Sequence, residues 1–191
     1  MIQLVKGTKD IFAAEVTAWQ EIEKKMRNIC QTFGIGEIRT PIIEFTELFV
    51  RGVGETTDIV QKEMYTFTDD GDRCLSLRPE GTAGVARAYI EHGMHNQAQP
   101  TKLYYISPTF RCENTQAGRQ RQFHQFGVEV LGSYSAAQDA EVISVAAALL
   151  EEMGIKDVEL RINSLGCPQC RSNYNKILRD FIGQNLGKLC P

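Results

Sequence analysis

Three arginines crowd one short stretch of this chain. In "FRCENTQAGRQRQFHQFGVEVLG", Phe110 to Gly132, Arg111 and Glu113 stand two apart, a polar loop carries Arg119 and Arg121, and Phe123 enters a run that alternates apolar and polar residues. A planar guanidinium suits bidentate contact with a phosphate or carboxylate, and three of them on one hairpin make a credible polyphosphate site. Phe123 can offer one face to a base while an arginine covers the other through a cation–π contact. Spacing alone leaves a second reading equally open, in which the arginines form surface pairs with Glu113 and Glu129 and Phe123 belongs to the core. The whole chain carries −3 at pH 7. Between Thr101 and Leu131, however, Lys102, Arg111, Arg119 and Arg121 stand against Glu113 and Glu129, a local balance of +2. That contrast favours a localised anion over nonspecific coating of nucleic acid.

Two further groups of residues have types suited to chemistry. Gln125 and Glu129 share one strand face by the period of two, where carboxylate and amide oxygens suit an ammonium or an imidazole N–H; the plain alternative is an exposed sheet face. His124 alternates to the opposite face and is read as structural. Cys167 and Cys170, in "SLGCPQC", have CxxC spacing, but a closed zinc site needs four ligands and only Cys190 lies nearby; the alternative is that Pro168 starts a helix and the thiols are incidental.

The elements that must position these residues follow from periodicity. Val16, Trp19, Ile22, Met26, Ile29, Cys30 and Phe33 recur at helical spacing, and Gly34 stops the helix. "IGEIRTPIIEF" is extended, with Pro41 at a strand edge, a strand end or a bulge. Strands are expected at "EMYTF", "RCLSLR", "KLYYISPTF", "RQFHQFGVEVLG" and "VELRIN". Helices are expected over Gly81 to Glu91, from the Ser135 N-cap to Gly154, and over Gln169 to Ile182. The irregular alternation predicts an α+β fold, a largely antiparallel β-sheet flanked by helices.

A chain of 191 residues with 42% hydrophobic and 24% charged residues is ordinary for one globular domain and the beginning of another. No run approaches the roughly 18 apolar residues of a membrane span, and the N-terminus lacks a signal-peptide core. The expectation is no membrane association and a cytoplasmic location. Six cysteines, unevenly spaced, are expected to be free thiols.

Read together, "TFRCE" and "GRQRQFHQFGVEVLG" resemble motif 2 of the class II aminoacyl-tRNA synthetases in the form found in histidyl-tRNA synthetases. "KGTKDIF", "RTPIIEFTELFVRGVGETTDIVQKEMYTF" and "LRPEGTAGVARAY" are similar to that family in the same order, over essentially the whole chain. The resemblance implies activation of L-histidine with ATP and Mg2+ and transfer to tRNA(His). It makes Arg111 the catalytic arginine on the α-phosphate and the histidine carboxylate. Glu113, Arg119 and Phe123 are implied for ATP binding, and Glu80, Thr82, Gln125 and Glu129 for histidine binding. Arg121, in the same loop, is less firmly assigned. The first helix with "EIRTPIIEF" resembles motif 1, its proline at Pro41, and implies a homodimer; the same helix could simply pack on its own sheet.

The resemblance also implies segments that are absent here: a histidine-specific segment with its own arginine, motif 3 and an anticodon-binding domain. The sequence therefore predicts a truncated, incomplete form of the fold. Residues 1–163 would be the N-terminal part of the catalytic core, and 164–191 the start of a truncated helical insertion. Some relatives look as if they continue past Cys190 to a further Cys, so a zinc site of Cys167, Cys170 and Cys190 would lack a ligand. Two competing readings remain: a synthetase-like, histidine-sensing regulatory subunit of ATP phosphoribosyltransferase, and a bare dimerisation module.

Overall fold

The computed structural model describes residues 1–54, 57–163 and 166–188. The chain divides into a unit Met1–Lys156 and a unit Asp157–Pro191. Ser164, where the expected helical insertion starts, lies outside the described residues.

The first helix, α1 (Ala14–Thr32), realises the apolar stripe expected of it, and Cys30 is fully buried. It ends as the glycine predicts: Gly34 has φ +67°, its N–H reaches Gln31 O, and Ile35 N–H returns to Cys30 O at 2.8 Å. The extended segment that follows serves two sheets. Its first part, β1 (Gly36–Glu37), lies parallel to β5 (Thr101–Phe110), whereas β2 (Ile43–Phe45) lies antiparallel to β4 (Cys74–Leu77). Pro41, which has no N–H to give to a ladder, falls at the crossing between them. Helix α2 (Thr46–Val53) follows, then a short wide-turn helix, Ile59–Glu63, and β3 (Thr66–Thr68), which completes the order β2-β4-β3. Helix α3 (Thr82–Glu91) leads to the main sheet, β1-β5-β6, with β6 at Gln122–Leu131. Antiparallel pairing dominates both sheets, as the α+β reading requires.

Strands β5 and β6 pair along their whole length, from Thr101 opposite Leu131 to Phe110 opposite Gln122. This register sorts the side chains. Tyr104, Ile106, Phe126 and Val128 turn to the core beneath, where Cys30, Ile35 and Val145 pack against them. Tyr105, Ser107, Thr109, Phe123, Gln125, Gly127 and Glu129 share the other face. Helix α4 (Ala136–Glu152) supplies Val145 and is tied to β5 by an ion pair of Lys102 with Glu141 at 2.7 Å.

Ser135 caps α4 as expected, its hydroxyl accepting from Ala137 N–H at 3.3 Å. Removing that acceptor strands an amide, so Ser135→Ala costs about 1 kcal/mol, a melting temperature roughly 2–4 °C lower. An unchanged thermal midpoint would show that the cap contributes nothing.

In the second unit the expected strand is not formed. Val158–Asn163 has no ladder among the described residues, and Leu160 and Ile162 are 63% and 77% exposed. Alternating residues make a strand competent to pair, but only a neighbouring edge makes it a strand. Helix α5 (Pro168–Asn185) begins with proline at its first position, where the missing N–H costs nothing. Among the described residues, no helix is long and apolar enough to cross a membrane.

Candidate active site

Strand β5 delivers Arg111 one residue past the end of its ladder, and Arg111 N–H donates to Arg121 O at 2.9 Å, which carries the hairpin further. The guanidinium is steered from two sides: Nε donates to Pro79 O at 2.9 Å, and the group lies 5.3 Å from the centre of the Phe123 ring. Glu113 sits between two arginines, with Oε1 3.9 Å from Arg111 Nη1 and Oε2 3.3 Å from Arg119 Nη1. Its Oε2 is buried yet makes no aligned hydrogen bond, so the pair with Arg119 is charge proximity alone. Arg119 is 61% exposed at the loop tip. The sequence-predicted ATP residues Arg111, Glu113, Arg119 and Phe123 are thus one cluster.

Two segments that spacing alone did not implicate hold this loop. Gly7 O accepts from Arg121 N–H at 2.7 Å and from Gln122 N–H at 3.1 Å, and Glu63 O accepts from Cys112 N–H at 2.7 Å. Gly7 has φ +86°, and a Cβ there would lie 2.6 Å from Thr115 Cγ2 and 2.8 Å from Arg121 Cγ, so no other residue fits. Only the resemblance of "KGTKDIF" gave a sign of this.

The second cluster forms where α3 starts above β6. Glu80 accepts from the N–H groups of Thr82 and Ala83, at 2.6 and 2.9 Å, and so neutralises the positive end of α3. The Thr82 hydroxyl donates to Glu129 Oε1 at 2.7 Å. Glu80, Thr82 and Glu129 therefore already form a network, with lone pairs left on both carboxylates for a cation. Gln125 stands four residues from Glu129 on the same face, about 13 Å by strand rise. Its Oε1, and the Ser107 Oγ of its cross-strand partner, are buried without a hydrogen-bond partner among the described residues. His124 turns away, as expected, and packs on Trp19 with ring centres 4.7 Å apart.

Tyr105 is a site residue that the sequence did not reveal. Its ring fills the space over Gly81 and Gly127, where any Cβ would approach ring atoms to under 3.0 Å. Burial pushes its phenol pKa up. Burial likewise raises Glu129, and the Glu80 charge adds to this, against the opposing bond from Thr82. A carboxyl whose folded value exceeds its unfolded one favours folding when protonated, and that contribution is lost as pH rises through the folded value. At pH 7 Glu129 is therefore penalised. Glu129→Gln keeps an acceptor for Thr82, so it should melt higher than the parent at pH 7 and lose that advantage by pH 4. Equal melting temperatures at pH 7 would refute the burial argument.

Cys167 and Cys170 lie at the start of α5 with Sγ atoms 3.2 Å apart, and the Cys170 amide lowers the Cys167 thiol pKa. Cys190 lies outside the described residues. Among the described residues, no group of three His, Cys, Asp or Glu gathers to hold a metal ion.

The arrangement, anion donors and an aromatic face at one end of a sheet and cation acceptors at the other, suits a zwitterion joined to a nucleotide. Comparison with known proteins agrees. The family model for histidyl-tRNA synthetase matches residues 7–169. The chain is 59% identical over 185 residues to the histidine–tRNA ligase of Thermoanaerobacter pseudethanolicus, covering 97% of this chain and 44% of the relative. It is 53% identical over 189 residues to that of Clostridium botulinum, covering 99% and 46%. The chain thus spans under half the length of these relatives. Apo S. aureus histidyl-tRNA synthetase superposes with a TM-score of 0.76 at 40% identity, covering 100% of this chain and 44% of that one. A structure described as an ATP phosphoribosyltransferase regulatory subunit/histidyl-tRNA synthetase from Bacillus halodurans gives 0.71 at 27% identity, over 82% and 39%. With the family match running through both clusters of the candidate site, this chain belongs to the histidyl-tRNA synthetase family.

Proposed function

We propose that this chain carries the part of a histidyl-tRNA synthetase site that binds ATP and L-histidine for adenylate formation. In that reaction a histidine carboxylate oxygen bonds to the α-phosphorus of ATP, the bond to the bridging oxygen breaks, and pyrophosphate departs with the electron pair. Arg111 contacts the α-phosphate and the attacking carboxylate, offsets the negative charge that keeps them apart and holds them in line. Glu113 positions ATP, and Arg119 reaches the outer phosphates. Phe123 stacks on the adenine with the ring face that Arg111 leaves free. Glu80 and Thr82 take the α-ammonium, while Gln125 and Glu129 line the histidine pocket. No side-chain nucleophile is needed, because the substrate brings its own carboxylate.

The observation that carries this reading is the gathering of Arg111, Glu113 and Arg119 around Phe123, at the end of the sheet face that also bears Gln125 and Glu129. In a protein with the family's full length the histidyl group would pass to tRNA(His), with Arg119 and Arg121 in the loop beside the acceptor end. A homodimer through α1 and the Pro41 segment is part of the proposal. Exposed Ile42, Ile43 and Phe45, at 41%, 48% and 57%, give that segment apolar surface to cover.

The second reading, a histidine-binding regulatory subunit, draws on the likeness to the Bacillus halodurans structure. A histidine sensor has no need of an ATP clamp, so the two diverge on nucleotide. Equilibrium dialysis of labelled histidine, with and without a non-hydrolysable ATP analogue and Mg2+, separates them. The synthetase reading expects the nucleotide to change histidine affinity several-fold; indifference to nucleotide would favour the sensor.

A further inference from the structure

Arg78 is a buried cation, 5% exposed, with no carboxylate in ion-pair range among the described residues. Burial lowers its pKa from the usual arginine range, so its place in the fold is costly and must be held by hydrogen bonds. Those bonds go to carbonyl groups of two separate segments. Nε donates to Pro108 O in β5 at 2.7 Å, and Nη1 to Thr40 O at 2.9 Å, with Thr40 Oγ1 and Pro41 O each at 3.4 Å. The backbone of the same residue repeats the bridge. Arg78 N–H donates to Ile42 O at 2.9 Å, and Arg78 O accepts from Phe110 N–H at 3.0 Å. The next carbonyl, Pro79 O, is the one that receives Arg111 Nε. The path from Thr40 to the Arg111 guanidinium therefore runs through the buried Arg78 side chain and the buried Pro79.

We propose that Arg78 is a positioning residue for Arg111, locking the Thr40–Ile42 segment onto the end of β5 so that the set of the Arg111 guanidinium depends on where that segment lies. The proposal rests on the ATP-site reading of Arg111. Lysine cannot substitute, because one ammonium on a flexible stem cannot serve Pro108 O and Thr40 O in the fixed directions of a guanidinium fork. Anything that packs on the Pro41 segment is thereby felt at Arg111.

The test is Arg78→Lys in the whole chain, with two readouts. In calorimetry the variant should bind a non-hydrolysable histidyl-adenylate analogue at least about 10-fold more weakly, a larger loss than for histidine alone, which lacks the phosphate contact. Combined with Arg111→Ala it should add no further loss, since both changes remove one function. In amide hydrogen exchange, Phe110 and Arg111 should exchange at least about 10-fold faster while α4 keeps its rates; a merely structural role would accelerate α4 as well. Analogue affinity within twofold of the parent, a loss that adds to that of Arg111→Ala, or uniform acceleration would each overturn the proposal. Should the parent chain bind no analogue, the ATP-site reading falls, and the exchange pattern alone still decides whether Arg78 sets this segment. If Arg78→Lys fails to fold, Gly84→Ala perturbs the same bridge from its far side. A Cβ there would press on Thr40 Oγ1 at 3.1 Å, and the same local acceleration at Phe110 is expected.

Discussion

Arg111→Ala should weaken binding of a non-hydrolysable histidyl-adenylate analogue by roughly 30- to 1000-fold while lowering the melting temperature by only about 2–8 °C. The range follows from removing a charge that faces a phosphate in a partly desolvated site, which costs about 2–4 kcal/mol. The stability loss stays modest because the side chain gives up one hydrogen bond, to Pro79 O, one cation–π contact with Phe123 and a 3.9 Å ion pair with Glu113, all at the rim of the sheet. Arg111→Lys should recover only part of the loss, since a point charge cannot bridge the phosphate and the acyl carbonyl oxygen at once. Calorimetric titration of the three proteins checks this. Equal affinity in all three would mean that the arginine serves the fold and not the ligand.

Gly127→Ala should be the most destabilising single-methyl change in the main sheet, costing at least about 3 kcal/mol, at the upper end for overpacking. Gly127 lies directly opposite Tyr105 in the register, and an added Cβ would fall within 3.0 Å of its ring atoms. The ring cannot retreat, because Gly81 closes its other side and the residue is 7% exposed. Moving it would also disturb Thr82, whose hydroxyl is held by Glu129. A fall in melting temperature of roughly 6–12 °C is therefore expected. Pairing it with Tyr105→Ala should give less than the summed loss, because the second change removes the obstacle to the first. Urea denaturation of the two single variants and the double variant measures this, and strict additivity would contradict the packing argument.

Much of this site was legible in the sequence, for a physical reason. Strand period and hairpin pairing are local rules, so spacing by itself puts Phe123, Gln125 and Glu129 on one face and His124 on the other. Ser135 and Gly34 act within a turn of their own helices and were equally readable. Arg78, Tyr105 and Gly7 were not. Each works through a partner 20 or more positions away: Arg78 with Thr40 and Pro108, Tyr105 with Gly81 and Gly127, Gly7 with Arg121. Such contacts are set by register and topology, which periodicity does not supply. Val158–Asn163 failed in the opposite way. Its alternation is a sound local signal, yet no strand forms there. Pro41 was correctly expected to interrupt pairing, but not to divide its segment between two sheets.

The most direct test of the central claim is a calorimetric comparison of this chain with a non-hydrolysable histidyl-adenylate analogue and with histidine alone. If one sheet face joins an ATP clamp to a histidine pocket, the analogue should bind at least about 100-fold more tightly than histidine, because it engages both clusters at once. Equal affinities would contradict the account: the Arg111 cluster would then contribute nothing to the ligand, and the site would be one for histidine only.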